Sequence, residues 1–387
     1  MRILFLSHAY PRHDGDIAGG FIHLLAAGVQ RRGHEVSVLA PSDGGAGGSE
    51  VLDGVHITRV RYAPAARETL AYRGTMAESL RSIAGVATVS AFVASHAWEV
   101  WGRPVQLVHA HWWVPGGVSA GLAKLAGGPP YVLTLHGTDV ALLKRSRAAR
   151  EVARWVLRGA SAVTTASSYL ADKAARVAGL DPASIVVRPM PTNVGGAALD
   201  SHGGGGVVTV GRLTAQKRIG MLIEAMAILR DRGVNAPLTI VGDGPERDAL
   251  ERRVADRNLA DRVRFTGAVP PSQIPATIGN ADVFAFPAVD EGLGLAAAEA
   301  LMLGVPVVAC RSGGVPDIVP DGGAGRLVPP GHLDAFAAAL QELLTDTHAR
   351  DRARDVGRIL RIQLSPDAVA EVFEGVYQRA LGVVRHA

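Results

Sequence analysis

Two glutamates eight residues apart, Glu291 and Glu299, stand in the segment DEGLGLAAAEAL with Gly292 and Gly294 between them. An apolar run ends shortly before Glu291, and a helical pattern starts just after Gly294. Glycines leave backbone amides unshielded, and the amides and positive dipole end of a starting helix point at the same place, which suits a diphosphate. A helix from Ala296 onward puts Glu299 near its first turn, where a carboxylate accepts hydrogen bonds from vicinal sugar hydroxyls. Two glutamates at this spacing also arise by chance. The glycines and the flanking strands give the pair its meaning.

A second set lies upstream. Gly211 closes the apolar run 207–210, and Arg212 and Lys217 occupy the loop before the next helical pattern. Two cations at the carboxyl end of a strand suit a pyrophosphate leaving group. The chain has only four lysines, at 124, 144, 173 and 217, among its 40 basic residues. Lys217 is the one lysine beyond residue 206, which fits a local need for a compact point charge. His136, in TLHGTD, follows an apolar strand and precedes a glycine. It could meet a reacting sugar, or it could be a capping or core histidine. Gly19 and Gly20 precede the first helix, where amides can approach a phosphate.

Other signals have plainer readings. Asp14 and Asp16 have the spacing of oxygen ligands for a divalent cation, with no third ligand in view. His109, His111 and His136 could bind zinc. Residues 242–245, GDGP, read as a turn. Trp112 and Trp113 follow a strand end, where an aromatic either stacks on a sugar or packs the core. Arg147, Arg150, Arg154 and Arg158 recur at helical spacing, as a solvated face or as a surface for anionic lipid. Cys310 is a buried filler after an apolar strand.

The elements that position these residues alternate between strand and helix. Strands are expected at 2–7, 35–40, 106–111, 131–135 and 162–165, with helical patterns between them. The alternation resumes at 207–210 and continues through 238–241, 263–265, 283–286 and 307–309. Such alternation builds parallel sheets covered by helices, with ligands at the carboxyl ends of the strands. The glycine-rich stretch 195–206 reads as a linker. The expected architecture is α/β, with two doubly wound Rossmann-like lobes facing a central cleft. Residues 1–194 form one lobe and residues 207–364 the other.

Composition sets limits. At 387 residues, with 48% hydrophobic and 20% charged residues, the chain is a folded protein of about two domains. One cysteine excludes a disulfide framework. A net charge of +4 is too small to argue for nucleic acid. The apolar start is too short for a signal-peptide core, and the uncharged run 82–98 is the one stretch that approaches a membrane span. The expected location is cytoplasmic, with peripheral membrane contact through the arginine face left open.

Together, the Gly-Gly loop, RGHEVSVLA, TLHGTD, GRLTAQKRI, GDGPER, VRFTGAV, EGLGLAAAEAL and GVPVVACRSGGVPDIV resemble the family 4 retaining glycosyltransferases of GT-B fold. Bacterial members that build surface polysaccharides or small glycosides are the most similar. The resemblance implies a nucleoside diphosphate sugar as co-substrate, no required cofactor or metal, and an acceptor that is a small molecule or a lipid-linked saccharide. It implies that Gly20 meets the donor diphosphate, and that Arg212 and Lys217 hold the phosphates. Glu291 meets the sugar hydroxyls, Gly292, Leu293, Gly294 and Leu295 line the sugar and phosphate, and Glu299 holds the ribose. His136 lies near the sugar and residues 263–267 border the base. His111, Trp112 and Asp139 are the expected acceptor contacts. The family's last helix returns to the first lobe, which would place residues 367–381 there. Leu293 stands where the family has Phe, Asp317 where it has Glu, and the segment 189–194, PMPTNV, departs from the usual pattern. Two other readings share these residues: a nucleotide-sugar epimerase, and an inactive sugar-nucleotide sensor.

Overall fold

A computed structural model of the chain describes residues 1–13, 15–45, 47–68, 70–72, 82–143, 146–195 and 203–383. Asp14, Lys144 and most of the expected linker lie outside them. The chain divides into unit 1, Met1–Pro191 with Pro366–Ala387, and unit 2, Thr192–Ser365. The division falls three residues before the expected end of the first lobe, ahead of the glycine-rich stretch.

Unit 1 runs β1 (Arg2–Leu6), α1 (Gly20–Arg31), β2 (Glu35–Pro41), β3 (Gly48–Leu52), β4 (Val55–Val60), α2 (Ile83–Trp101), β5 (Leu107–His111), α3 (Val118–Leu125), β6 (Tyr131–Leu135), α4 (Thr138–Leu142), α5 (Arg147–Gly159), β7 (Ala162–Thr165), α6 (Ser168–Ala178) and β8 (Val186–Val187). Its sheet has the order β3-β4-β2-β1-β5-β6-β7-β8, parallel except for the β3–β4 hairpin. The expected strands do not include that hairpin, although its two-residue turn, Asp53-Gly54 with φ +45° and +78°, is a hairpin signal. β3 is exposed along its length, so no apolar alternation marks it.

Unit 2 runs β9 (Val207–Val210), α7 (Ile219–Asp231), β10 (Leu238–Val241), α8 (Arg247–Asp256), β11 (Val263–Gly267), α9 (Ile274–Gly279), β12 (Val283–Phe286), α10 (Leu295–Met302), β13 (Val307–Cys310), β14 (Gly325–Val328), α11 (Leu333–Thr345) and α12 (Ala349–Gln363). Its sheet, β11-β10-β9-β12-β13-β14, is fully parallel. The order in which strands are added reverses between β9 and β12 here, and between β1 and β5 in unit 1. Such switch points open crevices at the carboxyl ends of strands.

The last helix, α13 (Pro366–Ala380), packs on α1 in unit 1. Val369, Phe373, Val376 and Tyr377 are buried in one cluster with Ile22, Leu25 and Val29 of α1. Arg31–Asp367 and Arg32–Glu374 ion pairs rim the seam. Each buried apolar side chain contributes roughly 1.5–3 kcal/mol and each exposed pair roughly 0–1 kcal/mol, so the apolar face decides where α13 docks.

The uncharged run expected as the nearest approach to a membrane span is α2. By length and composition it could cross a membrane, and it packs on α3, burying Val89, Phe92, His96 and Val100. Ile83, Trp98 and Trp101 stay exposed on its outer face.

Candidate functional site

In unit 2 the loops after β9 and β12 meet at the switch point. Val289 donates its amide to Gln216 O at 3.1 Å, and Gln216 Nε2 donates to Asp290 O at 3.3 Å. These bonds bring the Lys217 ammonium to Glu291, with Nζ 2.8 Å from Oε1 and both side chains about one-fifth exposed, at 22% and 17%. Lys217 Nζ also lies 5.1 Å from the centre of the Phe286 ring at the end of β12. The loop after β13 closes the rim. Ser312 Oγ accepts from the Asp290 amide, and Gly314 donates to the Glu291 carbonyl. A Cβ at Gly313 would stand 2.2 Å from that carbonyl oxygen, so only glycine fits against Glu291. Arg212 is exposed at the end of β9 and makes no ion pair with any described residue.

α10 starts at Leu295, one residue earlier than expected, with Gly294 as its left-handed N-cap and no side-chain cap. Its first amides therefore have no side-chain acceptor, as an anion site at a helix start requires. Leu293, in place of the family's Phe, is buried. Glu299 sits on the fifth residue of α10. Its Oε1 accepts a hydrogen bond from Thr192 Oγ1 at 2.8 Å, and burial raises its pKa against the lowering effect of that bond. Sequence reasoning missed Thr192, Gln216, Phe286 and Ser312. Only the strand-end positions of Phe286 and Ser312 offered a signal.

In unit 1 the loops after β1, β5 and β6 bring together His8, His111, Trp112 and His136, with Phe21 from the start of α1. The ring of His136 lies 4.5 Å from that of Trp112 and 5.1 Å from that of Phe21, and His8 lies 4.1 Å from Trp112. Trp112 has φ +62°, which is rare for a bulky residue and costs of order 1–3 kcal/mol. Its indole Nε1 donates to Thr138 Oγ1 at 3.1 Å. Such held strain clusters where a side chain must be aimed. Burial holds every histidine here neutral at pH 7. His8 is pushed down to about 4, and His111 and His136 fall well below the ordinary value. His8 Nδ1 and His111 Nε2 are buried without a partner among the described residues.

The three expected acceptor contacts, His111, Trp112 and Asp139, all lie in or beside this cluster and are largely buried. Asp139 is 2% exposed, and its carboxylate accepts from the amides of Trp113, His136 and Gly137. These bonds tie the loop after β6 to that after β5. His111 is fully buried, and its Nδ1 lies 3.0 Å from His136 Nε2. Trp112 is 7% exposed, with its edge held in the cluster.

Gly19 and Gly20 play different parts. Gly19 has φ +67°, and a Cβ there would stand 2.1 Å from Ala9 O. The fold itself demands it. A Cβ at Gly20 would meet nothing within 4 Å, so packing does not explain that glycine.

The zinc set is not formed. His109 bonds Tyr377 Oη at 2.8 Å and Thr134 Oγ1 at 2.6 Å. Among the described residues, no group of three or more His, Cys, Asp or Glu is placed to hold a metal ion. Asp16 pairs with Arg12 at 2.7 Å instead of facing a cation. Three of the four arginines on α5 bond backbone carbonyls within unit 1. Arg150 donates to Leu143 O, Arg154 to Val177 O and Arg158 to Ala178 O, the last two covering the carbonyl end of α6. Cations satisfied in this way secure a helix end, and the geometry gives the lipid surface no support.

Comparison with known proteins adds the following. The family described as Glycosyl transferases group 1 matches residues 203–359, and the one described as Glycosyl transferase 4-like domain matches residues 18–191. The chain is 36% identical to a GDP-mannose-dependent alpha-(1-6)-phosphatidylinositol monomannoside mannosyltransferase of Mycolicibacterium smegmatis, over 58% of this chain and 63% of that one. It is 31% identical to the protein of the same name in Mycobacterium tuberculosis (strain CDC 1551 / Oshkosh), over 92% of this chain and 91% of that one. A 2-deoxystreptamine glucosyltransferase of Streptomyces kanamyceticus is 31% identical over 63% and 69%. Among solved structures, sucrose-phosphate synthase from Thermosynechococcus elongatus superposes with a TM-score of 0.78 at 22% identity, covering 99% of this chain and 100% of that one.

Proposed function

The chain belongs to the family 4 glycosyltransferases of GT-B fold, and we propose that it transfers a glycosyl group from a nucleoside diphosphate sugar to an acceptor hydroxyl with retention of anomeric configuration. On this reading it is a cytoplasmic enzyme of bacterial polysaccharide or glycoconjugate synthesis. The observation that carries the reading is the Lys217–Glu291 pair at the switch point of unit 2.

The chemistry follows from charge. The breaking glycosidic bond leaves positive charge on the sugar and negative charge on the phosphate. A pyrophosphate offered to Lys217 competes with Glu291 for the ammonium, and Glu291 is then free to accept from sugar hydroxyls. Arg212, Lys217 and the first amides of α10 stabilise the departing diphosphate. Gly20, where a Cβ would meet nothing within 4 Å, keeps its family assignment to the donor diphosphate on this reading. His136 suits the other charge. A neutral imidazole does not repel a sugar that is gaining positive charge, and burial keeps this one neutral. The departing phosphate oxygen takes the acceptor proton.

The relatives' names divide over donor and acceptor: mannose from GDP-mannose onto a phosphatidylinositol mannoside, or glucose onto an aminocyclitol. The donor is therefore the quantity to measure. A thermal-shift panel of UDP, GDP, ADP, CDP and dTDP, run without metal, should show one nucleotide raising the melting temperature by a few degrees. A ligand at a hundred times its Kd adds about 2.7 kcal/mol. Lys217→Ala should abolish the shift. No shift with any nucleotide would remove the donor-site reading. Conversion of the donor without an acceptor would point to an epimerase, and an inverted anomeric centre in the product would overturn retention.

A further inference from the structure

Thr192 is the first residue of unit 2 and is 7% exposed. Its amide donates to the Leu364 carbonyl at 3.1 Å, one residue before the end of that unit. The backbone of Thr192 is thus tied to the segment by which the chain leaves unit 2. Its side chain faces Glu299, and Oγ1 donates to Oε1 at 2.8 Å. The rest of α10 around Glu299 is aliphatic: Ala297, Ala298, Ala300 and Leu301 are all buried. Among the described residues Thr192 is the one hydrogen-bond donor to that carboxylate. A carboxylate with one oxygen engaged presents the other to a ligand. Threonine suits the task, because its branched Cβ restricts χ1 and its backbone is already held.

We propose that Thr192 is a positioning residue for the donor nucleotide, holding Glu299 Oε1 so that Oε2 accepts from the ribose hydroxyls. The inference rests on the reading that Glu299 receives the ribose. It gives a role to the segment 189–194, whose departure from the family pattern left it without one. The hydroxyl removes rotational freedom from a long, partly buried side chain before the nucleotide arrives, and such preorganisation strengthens binding.

The test is calorimetric titration of the full chain with UDP and GDP and with their 2′-deoxy and 3′-deoxy counterparts. The wild type should bind a ribonucleotide about tenfold or more tighter than its deoxy forms, as expected for a hydrogen bond to a charged group. Thr192→Val keeps the shape and the backbone bond, and it should bring this ratio close to one with deoxy affinity unchanged. Thr192→Ser, which keeps the hydroxyl, should restore it. Glu299→Gln should lose the ratio as well. If Thr192→Val keeps the ratio while Glu299→Gln loses it, the inference falls and the ribose reading stands. If Glu299→Gln or the wild type shows no effect of the ribose hydroxyls, the ribose reading itself fails and takes the inference with it. Binding of the deoxy form certifies a folded site, and Thr192→Ala carries the same ratio test should the valine variant unfold.

Discussion

Unit 1 and unit 2 share the same succession of parallel strands, yet they bury different things. Among the described residues, every buried polar or charged side chain except Thr192 and Thr209 lies in unit 1, including His96, His109, His111, Asp139 and Glu68. Unit 2 packs an almost wholly apolar core and carries the Lys217–Glu291 pair on loops after its strands. The two units therefore set up chemistry differently. Unit 2 uses loop amides and a partly exposed ion pair that can exchange partners. Unit 1 uses imidazoles fixed by burial, aromatic contact and hydrogen bonds. The first arrangement suits charge that arrives with a ligand. The second suits a site that must stay uncharged.

The largest test of that contrast is catalytic. Lys217→Ala or Glu291→Ala should lower kcat/KM for transfer by at least about a hundredfold, the scale of losing one key electrostatic contact. Lys217→Ala should also lose stabilisation by the nucleoside diphosphate. His136→Ala should lose turnover and keep the nucleotide-induced rise in melting temperature. Loss of that rise in the His136 variant would break the division between the units.

The next effect is on stability. His8 and His96 titrate near 4 and His109 near 3, because burial penalises the imidazolium. The unfolded chain binds these protons at about 6.5, so it gains protons first as the pH falls. Stability is therefore full above that value and is lost as the pH falls from about 6.5 towards the folded values. Each histidine should cost about 1.4 kcal/mol per pH unit in that window. Thermal melts from pH 7.5 to 5 should fall steeply, and less so in His109→Gln. A flat profile would remove the buried neutral cluster as a feature of unit 1.

The smallest effects separate two neighbouring glycines. Gly19→Ala should destabilise the chain by about 1–3 kcal/mol, because its positive φ and the Ala9 carbonyl leave no room. Gly20→Ala should change stability by less than about 0.5 kcal/mol and weaken nucleotide-sugar binding several-fold. Equal melting temperatures for the two variants would contradict the close approach at Gly19.

Legibility in the sequence followed the same division. Lys217, Glu291 and the start of α10 are local patterns: a strand end, a loop with glycines, a helix start. Backbone geometry makes them meaningful within a dozen residues. In the hairpin β3–β4 the strand β3 is mostly exposed and shows no apolar alternation, so its one sequence signal is the Asp53-Gly54 turn. Asp139 is an expected acceptor contact in the sequence. Its burial and its bond from the Trp113 amide, 26 residues away, belong to the packed molecule, whereas the amides of His136 and Gly137 are its neighbours in the chain. The arginines of α5 are the opposite case. Their spacing was legible, but the α6 carbonyls that occupy two of them come from about twenty residues downstream.

What the sequence determined by itself was therefore whatever repeats along the chain: strand–helix alternation, the two Rossmann-like units, and the charged loops at strand ends. These follow from backbone hydrogen bonding and apolar period, which act over short separations. Only the tertiary structure decided which side chains keep a free face. Thr192 and Glu299 are 107 residues apart and His109 and Tyr377 are 268 apart, yet each pair shares a hydrogen bond. Burial sets whether a histidine is charged and whether a carboxylate has an oxygen to spare. Burial belongs to the packed molecule, since it is set by atoms that chain order does not bring near.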